Sequence, residues 1–309
     1  MKAKHWLVFI LLGAIWSSSF MWIKIAVQEV GPITLVAFRA SFGLLFGIVV
    51  IAIQRVRLPR TFKAWAPLLL LGLTNLAIPF VLISWGERSI DSAIAAILDA
   101  TVPLFTILMA HFLLHDDKIT TPKLLGMLAG FAGIILLMSK DIGASPSSLL
   151  GQAAVIVASM FYAVSAVYAR KVTEETPAIL RSAGPLVSAT AAMWLGTFLF
   201  ESPVKIPQTG ITWLALLFLG VLGSGLAFVL LYYLINEIGP TRATMVTYLF
   251  PLGGVILGVT ILHERLTWQV MAGGAIIIAS LVIANWTPRR QDKEIVQSVQ
   301  SKEKISGET

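Results

Sequence analysis

Residues 95–126 read AAILDATVPLFTILMAHFLLHDDKITTPKLLG, and residues 243–274 read ATMVTYLFPLGGVILGVTILHERLTWQVMAGG. Laid on each other at an offset of 148, they match Ala95 with Ala243, Pro103-Leu104 with Pro251-Leu252, Leu114-His115 with Leu262-His263 and Gly126 with Gly274. Upstream, at the same offset and without a gap, Trp65 meets Trp213, Gly72 meets Gly220, and Phe80-Val81-Leu82 meets Phe228-Val229-Leu230. Leucine on leucine means little in apolar segments, so the Trp, Pro, His and Gly coincidences carry the evidence. Each half holds five segments apolar enough to span a bilayer, and an odd number of spans starts the second half on the opposite side from the first. The pattern predicts an all-α membrane protein of ten transmembrane helices in two five-helix inverted-topology repeats. That is the plan of secondary transporters, with a site at the repeat interface near the midplane.

Composition bounds the same answer. The chain has 309 residues, 57% hydrophobic and 13% charged, against roughly 25% charged in soluble domains. The net charge of +7 sits in short loops and tails, so it reads as membrane orientation and excludes a nucleic-acid partner. The absence of cysteine excludes disulfides and thiol chemistry. The basic start (Lys2, Lys4) and apolar run resemble a signal peptide, but Trp16 to Lys24 continue the run into a first membrane helix.

Spans are expected near 6–27, 32–54, 64–84, 92–113, 122–139, 149–169, 178–200, 211–234, 241–262 and 267–286. The repeats take residues 1–145 and 146–287, and the polar segment 288–309 reads as a disordered cytoplasmic tail. Pro79, Pro103, Pro185 and Pro251 interrupt apolar runs, and Pro103 and Pro251 are repeat equivalents, which makes them candidate hinges. Seventeen Lys and Arg fall on the side of the N-terminus, against Arg88, Lys140, Lys205 and Arg265 on the other. This bias puts both termini in the cytoplasm, and the expected location is a bacterial inner membrane. The small-residue pairs Gly43/Gly47, Gly126/Gly130 and Gly254/Gly258 read as close packing between helices of one chain rather than as a dimer motif.

Trp16-Ser17-Ser18-Ser19-Phe20, followed by Lys24, is close to a W-G-S-S-F pattern with a lysine one turn later. With Arg39 in the second helix, an alanine eight residues before a proline in Ala95–Pro103 and Ala243–Pro251, and an acid after each of those helices (Asp116, Glu264), it carries a family likeness. The chain resembles the drug/metabolite transporter superfamily, in particular its ten-helix EamA-type members, over residues 6–286. Ser17 stands where the family usually has glycine, and Asp116 where it usually has glutamate. The resemblance implies transport of small organic metabolites such as amino acids, nucleobases or drugs, and it leaves the substrate open.

Each ionisable side chain at membrane depth costs roughly 2.5–3.5 kcal/mol on insertion scales, so it is a functional candidate by default. Lys24, Arg39 and Asp99 qualify, and the helical rise puts all three in the outer half of the bundle. They are the candidates for coupling or ion pairing. For Lys24 the alternative is snorkelling to the interface, for Arg39 a fixed structural pairing, and for Asp99 a buried ion pair. Substrate contacts are expected from Trp16, Asn75, Asp99, Tyr162, Ser224 and Tyr248, with helices 1, 3 and 4 facing 6, 8 and 9 across an apolar-walled cavity. Protons are the candidate coupling partner, the membrane lipid the surroundings, and no cofactor or metal is expected.

No Gly-x-Ser-x-Gly, His-Glu-x-x-His or phosphate-binding loop occurs, which argues against an enzyme and against ATP drive. His115-Asp116 and His263-Glu264 fall on opposite sides of the membrane, too far apart for one metal site. The expectation is a secondary transporter, in the direction of export, working by alternating access. A passive facilitator of the same fold is the first alternative, and an intramembrane lipid-modifying enzyme the second.

Overall fold

The structure is a computed structural model and describes residues 2–113, 119–141, 146–173, 176–239, 243 and 245–284, without the side chains at 170–172. The expectations for Asp116, for His115 and for the tail from 288 lie outside the described residues. Among the described residues there is no strand. Eight helices are long and apolar enough to cross a membrane. They are α1 (Ala3–Ala26), α2 (Pro32–Gln54), α3 (Phe62–Gly86), α4 (Ser92–Leu113), α5 (Thr121–Asp141), α6 (Pro146–Ala169), α7 (Ala178–Phe200) and α8 (Gly210–Ile238). Two shorter apolar helices follow, α9 (Met245–Thr260) and α10 (Trp268–Ala284). A helix satisfies every backbone polar group within itself, which is what a bilayer demands. Pro32 and Pro122 sit in first turns, where a missing N–H costs nothing. Gly239, at φ 85°, ends α8.

Two irregularities recur at repeat-equivalent positions. Helix α3 widens to π-helical turns at Gly72–Ala77, and α8 does so at Phe218–Leu226. A shift of 148 carries the first segment inside the second. Helix α4 is broken by a turn at Ala100 and Thr101 between Ser92–Asp99 and Val102–Leu113. The same shift carries that turn onto the junction in α9 between the 3₁₀ turn Met245–Tyr248 and the α-helix Leu249–Thr260. Pro103 and Pro251 therefore lie in the first turns of new helical pieces rather than kinking a continuous helix.

The packing is crosswise. Helix α1 lies against α8 and α9 of the other half, and α6 lies against α3 and α4. Helix α2 pairs with α7, and α5 with α10. The α5–α10 seam closes on glycine: a Cβ at Gly133 would stand 2.9 Å from the Gly273 carbonyl, and one at Gly273 would stand 2.7 Å from the Gly133 carbonyl. Gly47 meets Ala183 of α7 in the same way, so these small residues serve packing within the chain. The outward surface is apolar, with Leu7, Ile53, Phe112, Ile135, Phe198 and Met271 all exposed. Such an area would be a liability in water and suits lipid.

Candidate functional site

Arg39, on α2, is buried inside the bundle, and five other helices supply its surroundings. Its guanidinium lies 3.6 Å over the Phe80 ring of α3, a contact in which the ring's negative face meets the cation. Its Nε donates to Ser224 Oγ at 2.9 Å, from the π-helical part of α8. Tyr162 of α6, Glu87 at the end of α3 and Asp99 of α4 are its electrostatic neighbours. Trp16 of α1 closes the far side: its Nε1 donates to the Gly223 carbonyl at 3.0 Å, and its ring meets Phe228 and Phe250 edge-on. The π-helical turns matter here. An extra residue per turn re-aims the side chains of Ser224 and the carbonyl of Gly223 without ending the helix.

Of the side chains named from sequence, Trp16, Arg39, Asp99, Tyr162 and Ser224 converge. Asp99 is 6% exposed and its Oδ1 has no hydrogen-bond partner. No ion pair within 4.0 Å joins Asp99 to Arg39 or Lys24, although both ends of each pair are described. Lys24 is instead held by backbone: its Nζ donates to the carbonyls of Glu87 and Ile90, each at 2.7 Å. Asn75 lies within the π-helical part of α3. The Tyr248 hydroxyl donates to the Leu281 carbonyl of α10 at 3.2 Å.

A cleft of about 750 Å³ opens at the end of the bundle away from the N-terminus, hereafter the distal end; Lys24, Glu29, Asp91, Thr209 and Glu264 line it. Carboxylates there cap helices that belong to other parts of the chain. Glu29 accepts from the Gln208 and Thr209 amides and from the Thr209 hydroxyl at the start of α8. Glu201 returns the contact, accepting from the Ile33 and Thr34 amides and the Thr34 hydroxyl at the start of α2. Glu264 accepts from the Ser92 and Ala93 amides at the start of α4. Each cap supplies a carboxylate to unpaired N–H groups at a positive helix end. The Thr209 hydroxyl, then the Gln208 amide, holds Glu29 below the ordinary carboxylate range. Burial, then the charge of Glu264, pushes Asp91 above it.

One family description, the EamA-like transporter family, matches residues 4–139 and again residues 149–286. The chain belongs to the EamA-like transporter family. It is similar to the uncharacterized transporter YoaV of Bacillus subtilis, 24% identical over 282 residues that cover 90% of this chain and 95% of the relative. It is also similar to the uncharacterized inner membrane transporter YedA of Escherichia coli, 29% identical over 277 residues that cover 88% of each chain. A protein solved by crystallography shares the fold, with a TM-score of 0.67 at 20% identity, over 94% of this chain and all of that one. This EamA-family chain is thus an integral membrane transporter by family, and its relatives are named as transporters rather than enzymes.

Sequence reasoning missed three carboxylates of this EamA-family chain and the role of a fourth. Glu29, Glu87 and Glu201 stand at helix ends, where an acid looks solvated. Glu87 is nonetheless fully buried, with neither carboxylate oxygen hydrogen-bonded. Glu264 was legible as a family acid after α9, but not as the cap of α4. A Glu-Arg pair directly before a Ser-Ile-Asp turn is the only local mark of Glu87, and it does not encode depth.

Proposed function

We propose that this protein is a secondary transporter of small organic metabolites, built as ten spans in two inverted halves and working by alternating access, with export as the expected direction. The repeats take residues 1–145 and 146–287, and both termini face the cytoplasm. The observation that carries the reading is the recurrence of the same backbone irregularities, the π-helical turns of α3 and α8 and the breaks of α4 and α9, at an offset of 148. Irregular backbone at membrane depth suits a transporter site, where half-helices converge on a polar centre. The crosswise packing of α1 and α6 adds support, because exchanging each helix for its repeat partner maps that contact pattern onto itself.

The site proposed is the Arg39 centre. Trp16, Asn75, Asp99, Tyr162 and Ser224 would contact the solute once the Trp16 ring swings aside, Tyr248 would join when α9 moves against α10, and Pro103 and Pro251 mark the hinges. Protons are the proposed coupling partner. The test is a thermal-shift screen of the purified protein in lipid against amino acids, nucleobases and cationic drugs, followed by counterflow of any stabilising compound in proteoliposomes. The reading expects saturable counterflow that Trp16→Ala and Ser224→Ala weaken. Stabilisation and counterflow unchanged in both variants would remove the Arg39 centre as the site.

A further inference from the structure

Among the described residues, Glu87 is the buried carboxylate left with both oxygens unpartnered. It follows the last residue of α3, it is fully buried, and neither of its carboxylate oxygens has a hydrogen-bond partner. An isolated carboxylate in such surroundings is expensive as an anion. Its charged neighbours are Lys24 of α1, Glu264 after α9, Arg39 of α2 and Asp99 of α4. Asp99 is likewise buried with an unpartnered oxygen. Its electrostatic neighbours are Arg39 and Tyr162. Two buried carboxylates therefore lie in the field of one guanidinium that keeps its proton, and no ion pair within 4.0 Å joins the guanidinium to either. Depth orders them. Arg39 and Asp99 each lie seven residues into helices that start at the distal end, roughly 10 Å along the axis, while Glu87 lies above them, next to the Lys24 amino group. Lys24 itself lines the distal cleft together with Asp91 and Glu264, whose charges oppose its own.

We propose that Glu87 and Asp99 share a single proton across Arg39, forming a two-site relay between the distal cleft and the centre of the bundle. One carboxylate balances the guanidinium and the other is neutral, so the group carries no net charge in either arrangement. In one state the proton is on Glu87 and Asp99 is the counter-ion. In the other, the proton has left Glu87 and a proton is on Asp99, carried through water admitted from the cleft past Lys24, and Glu87 has become the counter-ion. Nothing is oxidised or reduced, and Arg39 stays charged throughout. Such a relay lets the cleft load a proton that the site at Asp99 then feels.

The inference rests on the transporter reading for its purpose, but its test needs no substrate. Infrared difference spectra of the full chain in lipid at neutral pH, in water and in D2O, report the carboxylic-acid C=O stretch of buried protonated side chains. Wild type is expected to show one such band. Glu87→Gln leaves Asp99 as the sole counter-ion and should abolish the whole band, and Asp99→Asn should do the same through Glu87. Arg39→Gln removes the cation, so both carboxylates take up protons and the band should grow about twofold. This third variant decides the matter if either of the first two fails to fold. A wild type without the band, a band that survives either single substitution, or no growth in Arg39→Gln overturns the shared proton. Failure here leaves the substrate-binding test untouched, and failure of that test leaves the band in place.

Discussion

Lys24 shows how a single membrane-depth cation can be satisfied without a carboxylate. Its amino group donates to the carbonyl of Glu87, which follows the last residue of α3, and to that of Ile90 in the connection to α4, and a helix C-terminus leaves such carbonyls unpaired. Charged hydrogen bonds contribute about 1.5–3 kcal/mol each. Lys24→Met should therefore lower stability by about 2–4 kcal/mol, read as the shift in a detergent-unfolding midpoint, whereas a lysine that only snorkels would give no shift. Glu29 makes the opposite kind of statement. Its folded pKa lies below its unfolded one, so its contribution is present above the ordinary carboxylate range and is lost as pH falls through the folded value. Thermal stability should drop in acid below that range, and Glu29→Gln should flatten part of the drop. A variant with the wild-type acid profile would show that the Glu29 cap contributes nothing. Sequence alone made Lys24, Arg39 and Asp99 visible because a charge within an apolar run stands out. Glu29, Glu87 and Glu201 were not legible, since an acid beside a turn looks the same whether it faces water or caps a helix from a distant connection.

The helices themselves were legible nearly to their ends, because apolar runs of spanning length bounded by Gly and Pro leave few alternatives. Their interruptions were legible only in part. The prolines marked α4 and α9 as irregular, but the structure starts new helical pieces just before them. Proline in a first turn is well tolerated, so Pro103→Ala and Pro251→Ala should change stability by no more than about 1 kcal/mol. Their effect should fall on transport kinetics instead, and a large loss of stability with unchanged kinetics would reverse the assignment. The π-helical turns of α3 and α8 share no clear mark in sequence beyond glycine, and Pro79 follows only the first of them. At the α5–α10 seam, where Gly133 and Gly273 face each other's carbonyls, added volume has nowhere to go. Gly273→Leu should cost about 1–3 kcal/mol or more by overpacking, measured by thermal unfolding in lipid. A neutral result would mean that the seam is looser than its geometry indicates.

At the scale of the whole molecule, the two halves are woven rather than placed side by side. Helix α1 is bedded in the second half and α6 in the first, while Glu29 and Glu201 clasp the two halves reciprocally at the distal end. The proposed inversion of the halves puts repeat-equivalent positions at opposite ends of the bundle. Lys63, in the first turn of α3, and Ile211, in the first turn of α8, are one such pair, 148 residues apart and both exposed. The chain has no cysteine, so a single cysteine at either position can be labelled without background. With a membrane-impermeant maleimide on intact cells, Ile211→Cys should react from outside and Lys63→Cys only after the membrane is opened. Labelling of both positions from the same face would contradict two inverted halves, and with them the alternating-access account.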